Sequence, residues 1–174
     1  MNELECQVFY DSSRHPVPPV ACGNRVDLAA DPAAEQKLAR LGISCRADLP
    51  AVLLTEPDGR LRIVGLRLSS EETARLAGGT GVPASRLLVY SSAWCGDCRR
   101  AKRVLEEAGA AFEEVDVDRD SQAEAAILER SGGRRVVPTF RFDDRVWAFN
   151  PDPPLLRRLV SGSLAKPGSP RGDA

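Results

Sequence analysis

Residues 89–98 of the chain form the stretch Val89-Tyr90-Ser91-Ser92-Ala93-Trp94-Cys95-Gly96-Asp97-Cys98. It continues a short apolar run that is typical of a buried strand, and its two cysteines stand where a helical pattern begins. Apolar residues recur at helical spacing from Ala101 to Ala108, and Gly109 is positioned to end that helix. The pattern therefore predicts a strand that runs directly into a helix, with Cys95 at the junction.

The rest of the second half continues to alternate between strand and helix patterns. Apolar and acidic residues alternate from Phe112 to Val117, as in a strand, and a capping box at Ser121 starts a second helix. Residues 136–142 and 145–149 form a hairpin, and Asp152 opens a last helix. The order βαβαββα predicts an α/β fold whose first two strands are parallel and whose last two are antiparallel.

The first half repeats part of this pattern. The spacing from Tyr10 to Val26 is 16 residues, against 25 from Tyr90 to Val115, and the difference falls where the second half has its cysteine-bearing helix. We expect a tandem repeat whose first copy lacks that helix; an unrelated α/β extension is the alternative. The matching segments are Val8-Phe9-Tyr10-Asp11-Ser12 with Leu88-Val89-Tyr90-Ser91-Ser92, Val26-Asp27-Leu28 with Val115-Asp116-Val117, and Leu49-Pro50-Ala51-Val52 with Val137-Pro138-Thr139-Phe140.

One internal stretch, Gly78-Gly79-Thr80-Gly81-Val82-Pro83, has the composition of a linker. The last residues are rich in Gly, Pro, Ser and charge, as in disordered segments. The expected organisation is a degenerate, non-catalytic α/β domain over 1–78, a linker over 79–85, a catalytic domain over 86–160 and a disordered tail over 161–174.

Composition excludes several classes of protein. The 174 residues include 24 Lys and Arg against 25 Asp and Glu, so there is no basic excess that would favour nucleic acid. No apolar run approaches the roughly 20 residues of a membrane helix, and the start has no signal-peptide pattern. We therefore expect a cytoplasmic protein that binds neither nucleic acid nor membrane, and whose thiols are normally reduced.

The pair Cys95 and Cys98 is suited to thiol chemistry. The first sulfur lies near the free N–H groups of a helix N-terminus, which favour the thiolate, and the thiolate is the nucleophile of disulfide exchange. Cys95 is therefore the predicted nucleophile, and Cys98, one helical turn on, is the predicted resolving residue. Trp94 offers an apolar surface to a substrate. Half of a zinc site is the alternative, but a closed site needs two further ligands at suitable spacing.

The other cysteines do not supply such spacing. Cys6 lies in an apolar strand, where a buried and inert thiol is expected. Cys22 and Cys45 lie in loop-like segments; they are bystanders, electron relays or metal ligands. His15, the one histidine, is expected in a solvated turn. The expected site holds no metal.

Residues 86–160 resemble a glutaredoxin, within the thioredoxin-like superfamily, and are most similar to mycoredoxins and to the glutaredoxin-like electron donors of ribonucleotide reductase. The resemblance implies a thioredoxin-like fold, a cis Pro138, a small thiol docked along Val137-Pro138-Thr139, and reduction of mixed disulfides through Cys95. Asp152 belongs to the implied substrate-binding set, with Trp94. The matching blocks are 89–98, Glu114-Val115-Asp116-Val117, Gly132-Gly133-Arg134-Arg135-Val136-Val137-Pro138-Thr139 and Asn150-Pro151.

Two departures from the family bear on the small thiol. Gly96-Asp97 stands where many glutaredoxins have Pro-Tyr, and residues 148–152 replace the family's Gly-Gly-x-x-Asp stretch. The second departure favours mycothiol over glutathione as reductant. Expected partners are the small thiol and disulfide-containing or thiolated proteins. The alternatives are a thioredoxin-type reductant that a flavoprotein reductase recharges, and a redox-sensing or metal-binding module without turnover.

Overall fold

The computed structural model describes residues 4–14, 24–44 and 47–163. Within these ranges, eight strands form one mixed sheet in the order β2-β1-β3-β4-β8-β7-β5-β6. The elements of the first half are β1 (Glu5–Tyr10), β2 (Asn24–Asp27), α1 (Ala34–Ala39), β3 (Ala51–Thr55), β4 (Leu61–Gly65) and α2 (Ser70–Ala77). Those of the second are β5 (Leu87–Ser91), α3 (Gly96–Glu107), β6 (Glu113–Asp116), α4 (Ser121–Arg130), β7 (Thr139–Phe142), β8 (Val146–Phe149) and α5 (Pro153–Ser163).

The second half has the predicted order βαβαββα, with β5 parallel to β6 and β7 antiparallel to β8. Three details of the prediction are wrong. Strand β7 begins at Thr139, so residues 136–138, which were expected in the strand, form the loop before it. The N-cap of α4 is Asp120, whose side chain accepts from two backbone N–H groups, and not Ser121. Helix α5 continues to Ser163, so residues 161–163 are helical; the rest of the expected tail lies outside the described residues.

The first half pairs its strands in the same way as the second. β1 is parallel to β2 and antiparallel to β3, as β5 is to β6 and β7. With Pro50 and Pro138 at equivalent positions, Phe9 is equivalent to Tyr90, one residue away from the expected match of the two tyrosines. Phe9 and Tyr90 are buried in the same core, and a shift by one residue would have turned one of them to the other face of the sheet.

Strands β4 and β8 join the two halves by antiparallel pairing. Val64 lies opposite Trp147, and the flanking pairs are Ile63 with Ala148 and Gly65 with Val146. The two hairpin registers make Val64 equivalent to Trp147 and Gly65 equivalent to Ala148. The seam between the halves is therefore symmetric about the pair Val64 and Trp147.

Helices cover both faces of the sheet and enclose two cores. One core lies under α1 and α4, and the other lies under α2, α3 and α5. The segment after α2, which was expected as a linker, runs along α5: Gly81 N–H donates to the Arg158 carbonyl (3.4 Å), and Val82 is buried. No helix in the described ranges is both long and apolar enough to cross a membrane.

Candidate active site

The two cysteines of the motif lie at the start of α3. Cys95 is the N-cap, and its Sγ accepts the backbone N–H of Cys98 at 3.0 Å. The two residues form a disulfide, with their Cα atoms 5.2 Å apart. Cys95 is half-buried, whereas Cys98 is 1% exposed. In the reduced pair only the first sulfur is therefore open to a substrate, and the helix N-terminus favours its thiolate form.

The loop before β7 lies against this pair. The Val137–Pro138 peptide bond is cis, as expected, and the Val137 carbonyl oxygen lies 3.9 Å from Cys95 Sγ. Thr139 is buried, and its hydroxyl donates to the carbonyl of Val136 at 2.8 Å. The Thr139 side chain therefore stabilises the loop through this hydrogen bond, and the backbone at 137–138 lies beside the Cys95 sulfur.

Trp94 is 90% exposed and precedes the first cysteine. It is the one large apolar side chain in the described ranges that is exposed to this degree. An exposed indole beside a reactive sulfur offers a substrate apolar contact area. The structure thus brings Trp94, Cys95 and the 137–138 backbone to one surface.

A carboxylate that the sequence analysis did not single out connects the two loops of the site. Asp118 accepts from the Ser92 hydroxyl (2.6 Å) and from the Arg135 guanidinium (2.5 Å), and Arg135 Nε also donates to Glu124 (2.8 Å). The hydrogen bond from Ser92, and then that from Arg135, holds the pKa of Asp118 below its ordinary value. Asp118 follows β6, whose carboxyl end lies next to that of β5. The predicted parallel pairing of these strands was the sequence signal that could have placed Asp118 near the cysteine pair.

Asp97, between the cysteines, forms an ion pair with Arg100 one turn along α3. This pairing turns the carboxylate toward the helix surface and offsets its charge. Lys102 on the same helix pairs with Glu114 of β6 at 2.7 Å. Two basic side chains of α3, those of Arg100 and Lys102, are therefore engaged in local ion pairs.

Asp152 lies at the start of α5 and is exposed. Its Oδ1 accepts the N–H of Leu155 at 2.9 Å, so the side chain caps the helix. The residue is connected to the site through the backbone, because Asn150 N–H donates to the carbonyl of Pro138 at 2.8 Å. The 149–152 loop and the cis-proline loop therefore form one continuous edge beside Cys95.

A cleft of about 900 Å³ lies between α3, the start of α5 and the first half. Asp97 and Arg100 line it from α3, Asp152 from the start of α5, and Glu56 and Arg62 from the first half. The cleft therefore has walls from both halves of the chain.

Of the other three cysteines, Cys6 is the one that lies within the described residues. Cys6 is half-buried in β1 and disulfide-bonded, so the expectation of an inert free thiol is wrong. His15, Cys22 and Cys45 lie outside the described residues. Within the described ranges, no three His, Cys, Asp or Glu side chains come together in a way that could hold a metal ion.

Comparison with known proteins gives the same assignment as the cysteine motif. The sequence model of the glutaredoxin family matches residues 87–147. A protein of Mycobacterium tuberculosis named as a glutaredoxin is 37% identical over 65 residues, which cover 37% of this chain and 77% of that protein. Mycoredoxin 1 of Corynebacterium glutamicum is 34% identical over 67 residues, which cover 38% of this chain and 82% of the relative.

The glutaredoxin-like protein NrdH of Escherichia coli is 35% identical over 75 residues, which cover 42% of this chain and 88% of NrdH. A solved structure of NrdH-redoxin from the same organism covers 43% of this chain and 95% of its own, with 32% identity and a TM-score of 0.37. Family members use a small thiol such as glutathione or mycothiol as reductant. Three observations support one conclusion: the match to the family model, the identity and coverage of the sequence relatives, and a cysteine pair whose first sulfur is accessible. The chain belongs to the glutaredoxin family and is a thiol-disulfide oxidoreductase.

Proposed function

We propose that Cys95 is the nucleophile and Cys98 the resolving residue in the reduction of mixed disulfides between a small thiol and a protein. The observation that carries this assignment is the contrast between the two sulfurs. Cys95 is accessible and accepts a backbone N–H at the start of α3, whereas Cys98 is buried beneath it. A nucleophile needs access and a stabilised thiolate, while a resolving residue needs only to reach its neighbour.

The steps balance as thiol-disulfide exchange. The Cys95 thiolate attacks the sulfur that belongs to the small thiol, the mixed disulfide breaks, and the protein thiolate leaves and takes up a proton. Cys95 is then joined to the small thiol. A second small thiol attacks the sulfur of the first, the Cys95 thiolate leaves, and the small-thiol disulfide forms. Alternatively, Cys98 attacks Cys95 Sγ, the small thiol leaves as its thiolate, and the Cys95–Cys98 disulfide forms. Two further small thiols, which supply two electrons, reduce that disulfide.

The substrate-binding residues in this proposal are Trp94, Val137, Pro138, Thr139 and Asp152. Trp94 precedes Cys95, and the carbonyl of Val137, which is followed by Pro138, lies beside the Cys95 sulfur. Thr139 stabilises the loop through its hydroxyl, and Asp152 caps the adjoining start of α5. A thiolated protein would rest on the exposed indole, and the small thiol would lie along the 137–139 backbone. Carbonyl and N–H groups there can bond an extended thiol, as in the addition of a strand.

Mycothiol is the small thiol we propose. Two of the three arginines that line the cleft beside the site, Arg62 and Arg100, already pair with Glu56 and Asp97; the third is Arg158. Glutathione brings two carboxylates that call for unpaired cations, whereas a sugar-based thiol without carboxylates does not. A dithiol recharged in this way needs a reducing compartment, so we place the reaction in the cytoplasm.

For the first half we propose a degenerate thioredoxin-like unit, over 1–78, that arose with the catalytic unit, over 86–160, as a tandem repeat. The equivalent strand registers and the symmetric seam at Val64 and Trp147 support it. In an unrelated extension, we would not expect three strand pairs to have the same registers as the corresponding pairs of the second half.

The test is turnover of a small mixed disulfide by wild type, Cys95→Ser and Cys98→Ser, with mycothiol, glutathione, or thioredoxin reductase plus NADPH as electron donor. Removal of a covalent nucleophile costs about 10⁴-fold or more in rate, so Cys95→Ser should be inactive. Cys98→Ser should retain partial activity, because a second small thiol can resolve the intermediate. Circular dichroism would show that both variants are folded.

Other outcomes would contradict the proposal. If the reductase alone supports wild type and both variants are inactive, the protein is a thioredoxin-type reductant. If no donor supports turnover, or zinc or iron co-purifies at about one ion per chain under anaerobic conditions, the pair is a sensor or a metal ligand.

A further inference from the structure

We propose that Arg62, in the first half, is a positioning residue for the thiol-binding edge of the second half. It holds the 149–152 loop, which adjoins the cis-proline loop beside Cys95. The inference rests on the proposed function, because that function makes this edge the place where the small thiol binds. It gives the half without a cysteine motif a specific part in the reaction.

The contacts of Arg62 are directional. Its Nη1 donates to the carbonyls of Phe149 (3.1 Å) and Asn150 (2.8 Å). Its Nε and Nη2 bond to Glu56, each at 2.8 Å, and both side chains are less than one-fifth exposed. One edge of the planar guanidinium is thus fixed by a carboxylate, and the other is aimed at two successive carbonyls. A rigid fork of donors suits this arrangement, and a lysine ammonium would not reproduce it.

The loop that Arg62 holds needs such support. Asn150 has a φ of +42°, in the left-handed region that non-glycine residues adopt at a cost in free energy. A local hydrogen bond to the Asn150 carbonyl from three or four residues on is not available, because Pro153 and Pro154 have no N–H. That carbonyl therefore depends on a donor from elsewhere, and Arg62 supplies it from β4 across the seam.

The supported turn connects directly with the reacting sulfur. Asn150 N–H donates to the Pro138 carbonyl (2.8 Å), and the preceding Val137 carbonyl lies 3.9 Å from Cys95 Sγ. The path from Arg62 to the cis-proline loop is therefore one residue, Asn150, bonded at both of its backbone groups. Loss of the guanidinium frees the Asn150 carbonyl and lets the loop shift away from the position in which a thiol fits beside Cys95.

The chain contains a matched control for this contact. Arg145 is equivalent to Arg62 across the symmetric seam, and its Nη2 donates to the carbonyl of Arg67 at 3.0 Å. Arg67 is equivalent to Asn150 and also has a positive φ, +52°. We call these two interactions the reciprocal arginine contacts. Both tie the halves together through a carbonyl after a hairpin. The carboxylate partner of Arg62 lies in its own half and that of Arg145 lies across the seam, and only the Arg62 contact ends at the cysteine pair.

The experiment compares Arg62→Gln with Arg145→Gln in the full chain. We expect Arg62→Gln to raise the KM for a small mixed disulfide about fivefold to tenfold and to leave kcat within about twofold, since a displaced binding loop weakens positioning more than it alters the nucleophile. Both variants should lower the unfolding temperature, and Arg145→Gln should leave KM unchanged. Glu56→Gln, which loosens the anchor of Arg62, should raise KM in the same direction and by less.

A second measurement does not depend on turnover. Amide hydrogen exchange at Asn150, followed by NMR, should become faster in Arg62→Gln and stay at the wild-type rate in Arg145→Gln. If wild type turns over no mixed disulfide, the proposed function fails, and this exchange rate still tests the positioning. Equal KM values in Arg62→Gln and wild type, an equal rise in Arg145→Gln, or an unchanged Asn150 exchange rate would each overturn the inference. If Arg62→Gln does not fold, Glu56→Gln decides by the same two measurements.

Discussion

The two halves of the molecule share a strand arrangement and differ most in the connection that follows the first strand of each. Between β5 and β6 the chain has 21 residues, 92–112, and they include α3 with its cysteine pair; between β1 and β2 it has 13, residues 11–23. Elsewhere the first half keeps the proline before its central strand, the left-handed residue after its hairpin and the capped closing helix. The strand scaffold of this fold is therefore retained without the cysteine motif, in a half that supports its neighbour through the shared sheet.

The largest effect that tests this equivalence is expected at the seam. Trp147 is 4% exposed and stacks on Tyr90, with ring centroids 5.8 Å apart, whereas its equivalent Val64 is fully buried and has a much smaller side chain. Trp147→Ala should destabilise the protein by about 3–5 kcal/mol, and Val64→Ala by about 2 kcal/mol. Urea unfolding gives both values.

The control for this prediction is cooperativity. Because one sheet spans both halves, we expect single transitions by fluorescence and by circular dichroism in wild type and in Val64→Ala. Two separated transitions in wild type would show that the halves unfold independently, and the comparison across the seam would lose its energetic basis.

The sequence predicted the second half well because its signals are local. The helix pattern after Cys98 and the hairpin over 136–149 depend on neighbouring residues, and both are present in the structure. It did not predict β4, the strand that joins the halves. Val64 and Trp147 are far apart in the sequence, and the hydrophobic periodicity of a short segment does not indicate which distant strand it pairs with.

The segment after α2 offers the next largest effect. A Cβ on Gly81 would lie 1.9 Å from the Leu159 carbonyl oxygen of α5, which is backbone and cannot move freely. Gly81→Ala should therefore cost about 2–3 kcal/mol through overpacking. Gly78, at the end of α2, has a φ of −79° and only ordinary contacts, so Gly78→Ala should be neutral or stabilise by about 0.5 kcal/mol.

Thermal unfolding of the two variants measures how firmly the first half is held against α5. A Gly81→Ala variant as stable as wild type would mean that residues 79–85 behave as a free linker. Their composition predicted such a linker. Glycine makes a chain flexible in solution, but it also allows close packing in a folded core, and composition does not distinguish the two cases.

The reciprocal arginine contacts differ in their carboxylates, which predicts a pH dependence. The Arg145 guanidinium, foremost by hydrogen bonding, holds the pKa of Glu72 below its ordinary value of 4.5. A lowered carboxyl pKa stabilises the folded state fully above the ordinary value, and this stabilisation is lost as the pH falls through the lowered value. Arg145→Gln should cost about 1–2 kcal/mol at pH 7, and the difference from wild type should shrink below pH 4.5.

Denaturant titrations at pH 7 and pH 3 measure that change. A wild-type advantage that is equal at both pH values would place the effect of Arg145 in its backbone contact with Arg67. The sequence alone did not indicate the role of these arginines, although a signal existed. Each stands at the start of the second strand of its half's hairpin: Arg62 is the second residue of β4, and Arg145 directly precedes β8. Only the observed registers bring those segments into alignment, because the first hairpin is longer than the second.

The smallest effect compares the caps of the two closing helices. Ser69 accepts the Glu72 N–H at the start of α2, and Asp152 accepts the Leu155 N–H at the start of α5. Loss of an N-cap costs about 1 kcal/mol, so Ser69→Ala and Asp152→Ala should destabilise the protein by similar amounts. Asp152→Ala alone should also raise the KM for the mixed disulfide, because only its helix begins beside the cysteine pair.

Asp152→Asn separates the two roles of that carboxylate. An asparagine retains the cap and removes the charge, so its stability should stay near wild type. A KM that stays at the wild-type value in Asp152→Asn and rises in Asp152→Ala would assign the residue to ordering of the α5 start, whereas a rise in both would assign it to charge recognition of the thiol. If Ser69→Ala also raised KM, the two caps would be equivalent in function, and the division of work between the halves would be wrong.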